Sequence, residues 1–163
     1  MSPVKRAFLH TRLGYIEING TEKGVCKIDF INQRVHITRV PASLKQCVEQ
    51  LKEYFFGTRK DFDFALDLAG SAFQVKVWEE LRKIPYGTAI SYQELAARIG
   101  DAKAFRAVGR ANGSNPMVIV VPCHRVIGSS GKLVGYRGGL KRKKWLLEHE
   151  HAFAQQDLFY GKA

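Results

Sequence analysis

The stretch Val118-Ile-Val-Val-Pro-Cys123-His124-Arg125-Val126-Ile127 sets a thiol, an imidazole and a guanidinium side by side behind an apolar run. The nucleophile of cysteine chemistry is the thiolate, and a neighbouring base or cation raises its population. Cys123 is thus a candidate nucleophile, His124 a candidate base and Arg125 a cation that would favour the charged sulfur. The run from Val118 to Val121 reads as a buried strand that ends at Pro122 and presents the thiol. The same residues also fit a core cysteine at a strand end, because free cysteine is among the most buried residue types. Cys26, among alternating residues, and Cys47, on an apolar helical stripe, read as structural. Three cysteines without close pairing fit a reducing compartment rather than a disulfide framework.

The elements that must position this stretch fall into two lobes. From Phe8 to Val40, short alternating runs are broken by turn residues, which predicts a small antiparallel sheet. Tyr15-Ile-Glu-Ile18 is followed by Asn19-Gly20, the strongest short hairpin signal. Val25 to Ile31 alternates again, and Val35 to Val40 reads as a further strand. Ser43-Leu-Lys-Gln46 has the form of a capping box, with Leu44, Cys47, Val48, Leu51 and Phe55 at helical spacing behind it and Gly57 as the stop. Phe62 to Leu68 reads as another strand or an extended linker. Ala69-Gly70 marks the boundary, giving an N-terminal α/β domain over 1–70 and a C-terminal domain over 71–163.

The C-terminal part reads as mainly helical. Ser71-Ala-Phe-Gln74 repeats the capping signature, and Phe73, Val77, Trp78 and Leu81 form one apolar face. Ser91-Tyr-Gln-Glu94 opens a helix that ends at Gly100-Asp101. A second short helix, about 102–111, follows after a tight turn, which is a helix-turn-helix pattern. Gly128-Ser-Ser-Gly131 and Gly135-Tyr-Arg-Gly-Gly139 bracket a loop whose backbone can approach a ligand closely. Lys141-Arg-Lys-Lys144 begins a last helix and reads mainly as a solvated face, with phosphate contact as the alternative.

The chain of 163 residues is long enough to bury a core without disulfides. Its net charge of +11 is uneven, +3 from Met1 to Gly70 and +8 from Ser71 to Ala163. A basic C-terminal part suggests a polyanionic partner, nucleic acid first. No apolar run approaches membrane-spanning length, and the N-terminus does not read as a secretory signal, so the expected location is cytoplasmic, or nuclear in a eukaryote.

In their order, Ile90-Ser-Tyr-Gln-Glu-Leu-Ala, Arg106-Ala-Val-Gly, Asn115-Pro, Pro122-Cys-His-Arg-Val-Ile and Gly135-Tyr-Arg-Gly-Gly resemble the methylated-DNA–protein-cysteine methyltransferases. The resemblance is close from Ser71 to Glu150 and looser before it. It implies an N-terminal ribonuclease-H-like lobe, a small antiparallel sheet plus helix, and a mainly helical C-terminal lobe with a helix-turn-helix. It implies direct-reversal DNA repair, in which an alkyl group on O6 of guanine, and O4 of thymine, moves irreversibly to Cys123. His124 would withdraw the thiol proton through a water, and Glu150 would hold and polarise the imidazole. Tyr92 would donate a proton to the purine, and Asn115 would brace the turn between recognition helix and active site. Arg106 would fill the gap left by the extruded base, while Tyr92 crowds the neighbouring phosphate.

By the same resemblance Ala107, Gly109, Arg110 and Gly113 would meet DNA in its minor groove, with small residues allowing close approach. Val126, Tyr136 and Arg137 would line the base pocket. No cofactor is implied, and the protein would act once, as a monomer, with cooperative assembly on DNA left open. Some members hold zinc in the N-terminal lobe. The corresponding positions here, Ser2, Thr21, Cys26 and Asp63, offer one thiol, so no metal is expected. Val118 stands where some members have a loop proline, and Arg137 where some have a smaller residue. Two other classes compete: a lesion sensor that binds without transferring, as in the alkyltransferase-like proteins, and a plain helix-turn-helix regulator. The Cys123, His124 and Glu150 set argues against both.

Overall fold

Three strands form an antiparallel sheet in sequence order: β1 (Lys5–Thr11), β2 (Gly14–Thr21) and β3 (Gly24–Ile31). The computed structural model describes residues 4–151. Alternation sends Ala7, Leu9, Ile16, Ile18, Val25, Ile28 and Phe30 to the buried face, as a period of two requires. The expected Asn19-Gly20 hairpin turn does not occur. Those residues lie inside β2 at a register shift, and the turn falls at Glu22-Lys23. Packing decides this: a Cβ on Gly20 would come within 2.7 Å of the Leu44 side chain.

Val35 to Val40 forms no strand either. The outer edge of β3 is already taken by two passing segments. Val25 exchanges backbone hydrogen bonds with Ala65 and Asp67, and Ile28 with Pro116 and Val118. Phe62 to Leu68 is thus extended chain with one bridge, at Leu66, rather than a full strand.

Helix α1 (Lys45–Phe56) buries Cys47, Val48, Leu51 and Tyr54. Ser43 is not its cap. A 3-10 turn over Ala42–Leu44, closed by the Leu44 N–H donating to Pro41, precedes the helix and places Ser43 inside the turn. Gly57 ends α1 at φ 92°, a left-handed position that suits glycine. These elements, up to Ala69 and with Pro116–Val118, form one compact unit; Gly70–Asn115 and the chain from Ile119 form the other.

In the second unit α2 (Ala72–Leu81) opens on a reciprocal capping box between Ser71 and Gln74. Val77, Trp78 and Leu81 are buried, whereas Phe73, expected on the same face, is 38% exposed. The Trp78 Nε1–H donates to the Ala111 carbonyl at 2.8 Å and ties α2 to α4. A short parallel pair, β4 (Ile90–Ser91) with β5 (Val126–Ile127), joins the start of α3 (Tyr92–Ile99) to the segment after Cys123. Ser91 caps α3, but Glu94 pairs with Arg98 instead of completing a capping box. Gly100, at φ 108°, ends α3, and a 3-10 turn over Ala102–Ala104, capped by Asp101, leads into α4 (Phe105–Gly113). The last helix, α5 (Leu140–His149), delivers Glu150 at its C-terminus. Among the described residues no helix is long and apolar enough to cross a membrane.

Candidate active site

The approach to Cys123 is not a strand. Val118, Ile119 and Val120 form a buried turn, with Ile119 at φ 71°. A β-branched residue there is an outlier that costs about 1–3 kcal/mol and persists only when its surroundings impose it. Two contacts do so. The Asn115 Nδ2–H donates to the Val121 carbonyl at 2.7 Å, and the Cys123 N–H donates to that same carbonyl at 2.7 Å. Cys123, His124 and Arg125 then form a 3-10 turn, buried throughout.

Behind the thiol lies a buried polar chain. His124 Nε2 sits 2.8 Å from Glu150 Oε2. Arg125 Nε donates to Glu150 Oε1 at 2.8 Å and Nη2 to Oε2 at 3.0 Å, while Nη1 donates to the Ile84 carbonyl at 2.6 Å. The Arg125 guanidinium also lies 5.8 Å from the Tyr86 ring centre. Burial alone would push the Glu150 carboxyl up, but His124 and Arg125 outweigh it and hold it well below the usual carboxylate range. Burial pushes the His124 imidazole down, below its ordinary value, against the pull of Glu150. A neutral imidazole therefore donates Nε2–H to an ionised Glu150. That fixes the tautomer and leaves Nδ1, which has no protein partner among the described residues, as a base.

Burial also pushes the Cys123 thiol up; a hydrogen bond to Asn115 and the charges of Lys143 and Arg137 pull it down without cancelling that effect. The resting sulfur is a thiol that needs a base. Arg125, expected to be its cation, is turned to Glu150 instead. Among the described residues, the cations acting on the sulfur are Lys143 and Arg137.

Lys143 is the largest departure from the expected solvated run. It is 0% exposed. Its Nζ donates to the carbonyls of Val126 at 2.6 Å, Val134 at 2.8 Å and Gly135 at 3.1 Å. Burial lowers it to about 8, opposed by Cys123 when that sulfur is ionised. One ammonium thus pins the segment after the cysteine to the glycine-rich loop. The signal for it was spacing: Lys143, Leu146, Leu147 and Glu150 share one face of α5, so two charges sit on an apolar stripe.

The Tyr92 hydroxyl donates to the Val134 carbonyl at 3.3 Å. Burial and then Cys123, when ionised, push its phenol up, and a hydrogen bond with Asn112 pulls it down. Cys123, His124, Glu150, Asn115, Tyr92 and Val126 are thereby gathered in one place. Tyr136 is half-buried and Arg137 exposed in the same loop. Arg106 and Arg110 are exposed on α4, Ala107 and Gly109 half-buried, and Gly113 opens onto empty space. Of the positions considered for zinc, Ser2 lies outside the described residues. Thr21 donates to Asp67, and Asp63 accepts from Gln46.

Comparison with known proteins gives a consistent pattern. The family model for the ribonuclease-like domain of 6-O-methylguanine DNA methyltransferase matches residues 4–68, and that for its DNA binding domain matches 72–152. The methylated-DNA–protein-cysteine methyltransferase of Mycobacterium tuberculosis is 54% identical over 125 residues, 77% of this chain and 76% of that protein. That of Mycolicibacterium paratuberculosis is 47% identical over 154 residues, 90% of this chain and 93% of its own. The crystal structure of Mycobacterium tuberculosis O6-methylguanine methyltransferase matches with a TM-score of 0.83 at 43% identity, covering 96% of this chain and 98% of that one. That of Mycobacterium tuberculosis OGT in complex with DNA matches at 0.82 and 44%, covering 90% and 92%.

Proposed function

The chain belongs to the 6-O-methylguanine DNA methyltransferase family, and we propose that it repairs duplex DNA by moving an alkyl group from O6 of guanine onto Sγ of Cys123. The observation that carries this reading is the buried relay: His124 Nε2 bound to Glu150 at 2.8 Å, with its other nitrogen left without a protein partner among the described residues and Cys123 the residue before it in the chain. His124 takes the thiol proton through a water. The thiolate attacks the alkyl carbon in one displacement, the C–O bond breaks, and its electron pair stays with the guanine. Tyr92 offers a proton to the purine, so the charge developing on the departing base is neutralised. A C–S bond forms. The net proton lost by the thiol is the one the guanine regains.

The product thioether has no labile leaving group, so each molecule acts once. Alkylated O4 of thymine presents the same carbon–oxygen bond and is a second substrate. The target must leave the stack before Cys123 can reach it. The turn between α3 and α4 and the basic residues of α4 support a helix-turn-helix that brings α4 to the minor groove, with Arg106 filling the gap. Asn115 braces the Cys123 turn, and Val126, Tyr136 and Arg137 line the base pocket. A Cys123→Ala variant tests the assignment in gel-shift and transfer assays with an O6-methylguanine duplex. Binding survives and transfer disappears; persistent transfer would exclude Cys123 as the acceptor.

A further inference from the structure

Helix α4 buries Val108, Ala111 and Asn112. Phe105 lies on the same side, three residues before Val108 and seven before Asn112, yet it is 39% exposed. The apolar stripe therefore runs out past the core at the N-terminal end of this helix. There the ring joins Tyr92, Gln93, Gly109 and Ser129 around an open cleft of about 320 Å³. Gly109 forms one rung of that cleft, one turn after Phe105, and a Cβ placed on it would come within 3.9 Å of the Tyr92 ring. The cleft thus carries an aromatic side chain from α3 and another from α4. The Arg106 guanidinium lies 5.8 Å from the Phe105 ring centre, within cation–π range. Lys103 and Arg110 add further positive charge, and α4 itself holds no acidic residue.

An exposed aromatic ring beside an arginine, on a basic helix, is the pairing that recognises the flat face of a nucleobase. We propose that Phe105 stacks on the base pair flanking the extruded nucleotide, beside the Arg106 side chain, and so stabilises the opened duplex. This rests on the duplex-repair reading above. Extrusion removes the stacking of one base on its neighbours, and an apolar ring inserted at the step restores part of it. Arg106 supplies hydrogen-bond donors and charge; Phe105 supplies the π face that an arginine alone covers poorly. Phe105 touches DNA but not the reacting atoms, so it is a positioning residue for the reaction.

The test compares wild type with Phe105→Ala, Phe105→Leu and Phe105→Tyr in single-turnover transfer. The substrates are an O6-methylguanine duplex and free O6-benzylguanine. Phe105→Ala lowers the duplex rate about tenfold, the scale of one lost base–aromatic stack, and leaves the free-base rate within twofold. Phe105→Tyr keeps the duplex rate, and Phe105→Leu does not, because it retains apolar volume without a π face. A 2-aminopurine placed next to the lesion fluoresces more brightly in the Phe105→Ala complex than in the wild-type complex. A duplex rate within twofold of wild type in Phe105→Ala, equal loss on both substrates, or full activity in Phe105→Leu would each overturn the stacking role alone. Absence of transfer by the wild-type protein would overturn the duplex-repair reading instead.

Discussion

Replacing Glu150 with Gln keeps the shape of the side chain and removes its charge, and the surroundings set the consequences. Glu150 is 1% exposed and accepts from both His124 and Arg125. In Glu150→Gln the Arg125 guanidinium stays buried, with the Ile84 carbonyl but without its counter-ion. Breaking a buried pair in this way costs about 3–5 kcal/mol, which lowers the melting temperature of a chain this size by about 10 °C. The rate suffers separately. An amide can present N–H to His124 Nε2, which moves the imidazole proton to Nδ1 and removes the base. The loss is about 10²–10⁴ in single-turnover transfer, the usual contribution of a general base.

Acid pH supplies a second reading of the same variant. The folded carboxyl titrates below the unfolded one. Its stabilisation is therefore complete above about pH 4.3, the unfolded value, and is lost as pH falls through the folded value. Gln does not titrate, so the stability gap between wild type and variant narrows from pH 5 towards pH 3 in urea unfolding. Adding Arg125→Met removes the orphaned charge and recovers part of the stability but none of the rate. A gap that stays constant on acidification, or transfer within threefold of wild type, would refute this account of the relay.

Lys143→Met removes the shared anchor of Val126, Val134 and Gly135; transfer falls about tenfold, on the scale of one charged hydrogen bond, with rapid-quench kinetics as the check. In the wild type Lys143 loses its proton at about 8 when folded and at about 10.4 when unfolded. Between those values the unfolded chain binds more protons, so this group makes stability rise with pH, and the rise is absent from Lys143→Met. Arg106→Ala weakens repair of duplex DNA more than reaction with a free alkylated base; equal losses would count against its role in extrusion. Gly24→Ala sets a Cβ within 2.6 Å of the Ala65 carbonyl oxygen at φ 148°. The cost is about 1–3 kcal/mol, readable in thermal unfolding.

What could be seen in the sequence was whatever local chemistry decides. The alternation of β1 to β3, the Ser71–Gln74 box and the glycine stops at Gly57 and Gly100 depend on neighbours in the chain, and they form as their residues suggest. Ser43 and Glu94 are diverted locally, by a 3-10 turn and by Arg98; the other misreadings come from contacts beyond the immediate neighbours. Leu44 claims the space at Gly20 and turns a hairpin signal into an irregularity within a strand. Two distant segments cover the edge of β3 and leave Val35 to Val40 without a partner. Asn115 folds back the run from Val118 to Val121, which by composition reads as a strand. At the site, residue types and order pointed to Cys123, His124 and Glu150 but not to their wiring. Arg125 looked like the thiol's cation and instead holds Glu150, while Lys143 looked like one of four solvated charges. Only its place on the apolar stripe with Leu146 and Leu147 marked it as buried.

The central claim is that one alkyl group ends on one sulfur. Intact-protein and peptide mass spectrometry, after mixing with a duplex that contains a single O6-methylguanine, tests it directly. The account predicts a gain of one CH₂, confined to the peptide with Cys123 and saturating at one per protein. Cys47, buried and pushed up to about 12, stays unmodified. Tight binding to the lesion with no change in mass, or methyl carried on another residue, would contradict it.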